Sequence, residues 1–276
     1  MTTPSRRTLL AMAAAAPAVV AANASAQIPA DLAALTSNRA AIVTGSSRGI
    51  GAATARRLAH DGYAVTVNYL TNAELASAVV RDIEAAGGRA IARQGDVADP
   101  AAVRALFDAC EDTFGGVDVV VSNAGIMNTA PMGQFTDEAF DRMMSTNLKG
   151  SFNVLREAAR RTRDGGRIIA LSSTSMTQKR PTHGPYAATK AAQEMLCGSL
   201  AKEVAGRRIS VNAVAPGPTN TDLFRVPPAL RQQAAESTPY GRIGEPEDVA
   251  DAIAALCAPD GQWINGQLVF ANGGFF

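Results

Sequence analysis

A tyrosine at 186, a lysine at 190 and a serine at 173 are of the types, and at the spacing, that proton transfer needs. On a helix beginning near Pro185, the i, i+4 spacing makes Tyr186 and Lys190 neighbours on one face. An ammonium beside a phenol favours the phenolate and is expected to lower its pKa from about 10 toward working pH. Such a phenol can protonate a carbonyl oxygen or take the proton of an alcohol. Ser173 adds a hydroxyl donor to the same oxygen if its strand ends where the helix begins. Ser172 competes for that part, but only Ser173 stands thirteen residues before Tyr186. A tyrosine and lysine four apart recur by chance in many helices, so the elements around them must decide.

From Arg39 onward, short apolar runs alternate with segments of helical period. Strands are expected at 40–45, 64–69, 89–97, 117–125, 166–173, 208–217 and 266–274. Helices are expected at 49–62, 72–86, 100–114, 136–161, 185–204 and 247–258. Near-continuous apolar strands between helices mean a parallel sheet covered on both faces. The fold class is therefore α/β, a single doubly wound Rossmann domain over 39–276 with a seven-stranded sheet in the order 3-2-1-4-5-6-7. The stretch 218–245 breaks the rhythm: it is polar, holds four prolines and has one short helical piece at 228–236. A loop of that length is expected to be a lid over the site.

Between the first strand and the first helix runs Thr44-Gly-Ser-Ser-Arg-Gly-Ile-Gly51. Gly45, Gly49 and Gly51 permit a tight turn and close backbone approach, and the helix start supplies free N–H groups. With Ser47, Arg48 and Ile50 they form a seat for a pyrophosphate. The spacing departs from the G-x-G-x-x-G fingerprint, so placement between strand and helix is what gives it weight. An acid at the end of the second strand would hold the ribose of NAD. Asn68 and Tyr69 stand there instead, and no Asp or Glu occurs between Asp61 and Glu74. Arg48 offers a cation for a 2′-phosphate, so NADP(H) is expected in preference to NAD(H).

With these motifs in order, joined by Asn123-Ala124-Gly125 and Asn147, the chain resembles the short-chain dehydrogenase/reductase family from about Arg39 onward, in its 3-oxoacyl-reductase or glucose-dehydrogenase-like branch. The resemblance implies that Tyr186 is the acid/base, that Lys190 binds the nicotinamide ribose, and that Ser173 polarises the substrate carbonyl. It implies that Asn147 holds a water joining Lys190 to bulk solvent. It places Asp96 and Val97 at the adenine, Asn123, Ala124 and Gly125 at its ribose, and Pro216, Gly217 and Thr219 at the nicotinamide. Thr219 departs from the apolar β-branched residue commoner there, and Thr221 offers a second hydroxyl. A homotetramer, built on the helices at 136–161 and 185–204, is a further implication. His183 is expected as a surface loop residue; the alternative is that it reaches substrate. Met127, Met176 and Phe224 suit either a substrate pocket or ordinary packing.

A formal charge of +1 and few aromatics give no case for nucleic acid. Three scattered cysteines, Cys110, Cys197 and Cys257, and only two histidines argue against a protein metal site. Residues 1–26 differ from the rest, with Arg6-Arg7, an apolar run from Leu9 to Ala22 too short for a membrane span, and Ala24-Ser25-Ala26. They are expected to be a twin-arginine export signal, followed by a linker at 27–38. Cleavage after Ala26 would remove two arginines and no acid, taking the charge to −1. That route exports folded proteins, which suits a periplasmic cofactor enzyme; the alternative is cytoplasmic residence with the signal unused. The expected activity is interconversion of a carbonyl and a secondary alcohol with NADP(H). The alternatives are a non-catalytic NADP-binding sensor, and an epimerase or dehydratase on the same fold.

Overall fold

The computed structural model describes residues 39–276. The expected export signal and linker, residues 1–38, lie outside the described residues. The sheet contains β1 (Ala40–Val43), β2 (Ala64–Tyr69), β3 (Arg89–Gln94), β4 (Val117–Ser122), β5 (Thr162–Leu171), β6 (Ser210–Pro216) and β7 (Leu268–Ala271). They lie in the expected order 3-2-1-4-5-6-7, and each pair of neighbours is parallel. β1, β4 and β6 hold almost no exposed residue because helices cover both faces of the sheet.

On one face lie α1 (Gly49–His60), α2 (Ala73–Ala85) and, near the chain's end, α8 (Pro246–Cys257). Leu58, Val79, Ile83 and Ile253 from these helices pack on Val65, Val67 and Val121 of the sheet. The other face carries α3 (Pro100–Phe114), α4 (Asp137–Met143), α5 (Gly150–Arg161) and α6 (Gly184–Glu203). There Phe107, Leu155, Cys197 and Leu200 pack on Ile42, Val120 and Ile168. Each such Leu, Ile or Phe contributes about 1.5–3 kcal/mol by leaving water. The helix ends follow local chemistry. Asp99 accepts a hydrogen bond from the Ala101 N–H at 2.8 Å, Pro100 takes the first helical position, and Gly115 closes α3 at φ 84°.

Two expectations need correction. The helix expected to run unbroken over 136–161 is interrupted by a π-helical turn at Met144–Lys149, between α4 and α5. Helical period alone does not reveal such a turn, which inserts a residue and aims side chains off the α spiral. The fifth strand begins at Thr162 rather than 166 and ends at Leu171, with a register shift against β4 between Val117 and Val119. Glycines at 165 and 166 hid this beginning, because they lower strand propensity. The segment 218–245 holds α7 (Pro228–Glu236), as its sequence suggested. Its two ends are pinched together by the Thr219–Gly244 bridge, where Gly244 N–H donates to Pro218 O at 2.9 Å and Asn220 N–H to Gly244 O at 2.8 Å.

Cys110, Cys197 and Cys257 are all free and buried, and burial pushes their thiols up to about 11, 12 and 12. Among the described residues, no helix is long and apolar enough to cross a membrane, and no His/Cys/Asp/Glu group could hold a metal ion.

Candidate active site

The strand order reverses between β1 and β4, so the chain leaves their C-terminal ends in opposite directions and opens a crevice there. Gly45 and Gly49 take φ values of 61° and 55°, which the turn requires and which favour glycine. A Cβ on Gly51 would stand 2.5 Å from the Asn123 amide nitrogen and 2.5 Å from Gly45 O, so only glycine fits. The turn is held from three sides. Asn123 Nδ2 donates to Thr44 O at 2.8 Å and Gly45 O at 3.0 Å. Asn68 Oδ1 accepts from the Gly45 N–H at 3.1 Å, while its Nδ2 donates to Gly95 O at 3.0 Å. Thr44 Oγ1 accepts from the N–H groups of Asn123 and Ala124. The amides of Asn68 and Asn123 are therefore spent on shaping the loop.

One open cleft collects most of the expected cofactor residues: Gly45, Ser47, Arg48, Gly49, Ile50, Gly51, Asn68, Tyr69, Asp96, Val97, Asn123, Ala124, Gly125 and Thr221. A second cavity gathers Ser173, Tyr186, Lys190, Pro216, Gly217 and Thr219. The two share Ile50, Asn123, Gly125, Thr221 and Leu223, forming one continuous groove. Arg48 stands at the cleft's rim but is not waiting unpaired. It meets Asp222 of the 218–245 segment at 3.1 Å, and Asp222 in turn accepts from Arg225 at 2.6 Å. Asp222 is held below the ordinary carboxylate value, chiefly by the Arg225 hydrogen bond.

Tyr186 and Lys190 lie on the buried face of α6, both almost wholly covered. The expected lowering of the phenol pKa does not occur in this structure. Lys190 Nζ is 5.8 Å from the Tyr186 ring centroid, and its hydrogen bonds go to Leu171 O at 2.5 Å and Gln193 Oε1 at 3.0 Å. Burial instead pushes Tyr186 up to about 12, with a smaller opposing pull from a Ser173 hydrogen bond. Burial alone lowers Lys190 to about 7. Desolvation outweighs an attraction that acts across the ring rather than at the oxygen.

Ser173 lies just past β5 and shares its hydroxyl with Ser175, whose N–H donates to it at 3.2 Å. Ser172 is engaged elsewhere, donating to Lys190 O at 3.1 Å, which separates the two serines' parts. Asn147, in the π-helical turn, spends its side chain on Ile126 and Thr189. Its backbone oxygen accepts from Gln193 Nε2 at 2.9 Å. Met127 and Phe224 do line the cavity, together with His183, whereas Met176 does not. Arg180, Gln193 and Asp222 were not singled out from the sequence. Gln193 had a signal: a polar residue three positions past Lys190 on the face of α6 that packs inward.

The family model described as "Enoyl-(Acyl carrier protein) reductase" matches residues 44–276. A short-chain type dehydrogenase/reductase of Picea abies is 41% identical over 248 residues, covering 86% of this chain and 92% of its own. An NADPH-dependent aldehyde reductase-like chloroplastic protein of Arabidopsis thaliana is also 41% identical, over 254 residues, with 86% and 94% covered. A short chain dehydrogenase from Burkholderia cenocepacia, solved in complex with NADP, superposes with a TM-score of 0.83 at 39% identity, with 87% and 98% covered. The chain belongs to the short-chain dehydrogenase/reductase family of oxidoreductases.

Proposed function

We propose that the protein interconverts a carbonyl compound and a secondary alcohol with NADP(H). The observation that carries this reading is the continuous groove, which runs from the glycine turn to Ser173, Tyr186 and Lys190. Its residues fit the cofactor: a glycine cradle that a Cβ at Gly51 would fill, and no carboxylate from Asn68 to Asn72 to claim a ribose hydroxyl. When bound, the nicotinamide supplies the hydride to the carbonyl carbon and takes it back in the reverse direction. Lys190 holds the nicotinamide ribose. Asn123, Ala124, Gly125, Asp96 and Val97 line the adenosine end, and Pro216, Gly217, Thr219 and Thr221 the nicotinamide end.

Tyr186 gives its phenol proton to the carbonyl oxygen as the hydride arrives, and Ser173 donates a hydrogen bond to the same oxygen. In the reverse direction the phenolate takes the alcohol's proton. A phenol that burial holds protonated is poised for reduction, since the proton is in place across ordinary pH. Met127, Leu223 and Phe224 give the cavity an apolar wall, Arg180 and His183 also line it, and among the described residues no carboxylate does. These surroundings suit a carbonyl compound with an apolar body and a neutral or anionic end.

The decisive test follows NADPH oxidation against a panel of ketones and aldehydes, each paired with its carboxylate-bearing analogue. Tyr186→Phe should lower kcat at least about 100-fold while NADPH still binds. Retained turnover would remove Tyr186 from the chemistry. NADPH binding without consumption of any carbonyl would favour the sensor, epimerase or dehydratase alternatives. Export to the periplasm and a homotetramer complete the reading. The tetramer is supported by Phe140, Phe152 and Met195, which are exposed on the helices expected to pair.

A further inference from the structure

Gln193 has no accessible surface, and every polar atom of its amide is engaged. Oε1 accepts from Lys190 Nζ at 3.0 Å. Nε2 donates to the backbone oxygen of Asn147 at 2.9 Å and also to Ser151 Oγ. The amide can stand only this way round. An ammonium only donates and a carbonyl oxygen only accepts, so oxygen must face Lys190 and nitrogen must face Asn147. Ser122 Oγ extends the chain by donating to Ser151 Oγ at 3.4 Å.

Lys190 has three N–H donors. Leu171 O takes one and Gln193 Oε1 a second, which leaves a single donor for whatever stands on the Tyr186 side. We propose that Gln193 is the positioning residue for Lys190: it fixes the ammonium against Asn147 and keeps one donor free for the cofactor ribose. The inference rests on the reading of the groove as an NADP(H) site.

Burial is the cause of the Lys190 shift. Among the described residues, Lys149 in the π-helical turn, Glu157 on α5, Arg167 on β5 and Glu194 on α6 are not among its causes, β6 carries no titratable side chain, and the Tyr186 phenol is the titratable neighbour. The charge state of Lys190 should therefore answer directly to what stands at 193.

The test uses the whole protein with two variants. Gln193→Met keeps length and loses all three hydrogen bonds; Gln193→Glu keeps the shape and puts a charge against the ammonium. NADPH dissociation constants are measured by fluorescence from pH 5.5 to 10, beside thermal unfolding and the pH profile of kcat. For the wild type, NADPH should bind more weakly as pH rises and Lys190 loses its proton. Gln193→Met should move that midpoint down and weaken NADPH at least about tenfold at pH 7, whereas Gln193→Glu should move it up by one pH unit or more. If both variants lose thermal stability yet keep the midpoint and the affinity within twofold, Gln193 only fills the core and the proposal fails. If Gln193→Met does not fold, the isosteric Glu variant still decides. Loss of the function reading would show separately, as wild-type NADPH binding without turnover of any carbonyl.

Discussion

Burial acts on Tyr186 and Lys190 in one physical sense and two chemical ones, favouring the neutral form of each. The consequence for stability can be signed. Lys190 falls from its ordinary 10.5 to about 7, so between those values the unfolded chain binds a proton that the folded one does not. Stability should therefore rise with pH across that window. Tyr186 rises from 10.0 to about 12, so above pH 10 the folded protein holds the extra proton and stability should fall again. The three buried thiols, raised from 9.0, likewise hold protons that the unfolded chain loses, so the melting temperature of the cofactor-free protein should climb from pH 7 to about 9 and then drop. Lys190→Met should flatten the climb, and a climb that survives in that variant would assign it to another group. Tyr186 and Lys190 were legible from their i, i+4 spacing on one helix, and Ser173 from the strand that ends just before it. The direction of the phenol's shift was not, because it depends on how deep α6 lies. The role of Gln193 was equally hidden, since its partner is a backbone oxygen contributed by a π-helical turn.

At the scale of elements, the 218–245 segment and the glycine turn are clipped together by Arg48 and Asp222, both about half exposed. An exposed, solvent-screened pair of this kind contributes little. A phosphate offers the same guanidinium more charge and more acceptor oxygens. A 2′-phosphate should therefore displace Asp222 from Arg48 at small cost. Arg48→Ala should weaken NADPH about tenfold or more and leave NADH within about twofold. Asp222→Asn should tighten NADPH a few-fold at low salt, because it removes the competitor. Titrations with both cofactors check this; equal losses for NADPH and NADH in Arg48→Ala would detach Arg48 from cofactor choice. Arg48 was legible as a cation beside the loop, but its partner was not, because 174 residues separate the two in sequence. Strand and helix identities were likewise legible from period. The π-helical turn and the early start of β5 were not, because both arise from packing between elements.

The whole molecule leaves several large apolar side chains in water, among them Phe140, Phe152 and Met195, and Trp263 is 98% exposed. Light scattering after gel filtration should give a mass near four times the 28.5 kDa of the full chain. A monomer would leave those side chains without the expected partner. The sheet order was legible from the alternation of strands and helices, whereas the way the molecule meets its copies is written in surface shape. The three thiols belong to this scale as well. A thiol reagent should modify none of them in the native protein within minutes and all three after denaturation. Early labelling at Cys110, Cys197 or Cys257 would show that the core opens locally. Their burial also bears on how the chain could reach an oxidising compartment. Threaded across a membrane as an extended chain, it would arrive with three unpaired thiols open to random crosslinking. Crossing with its sheet already assembled, it would carry them sealed between the layers, so the order of events (fold first, then move) would itself protect its chemistry.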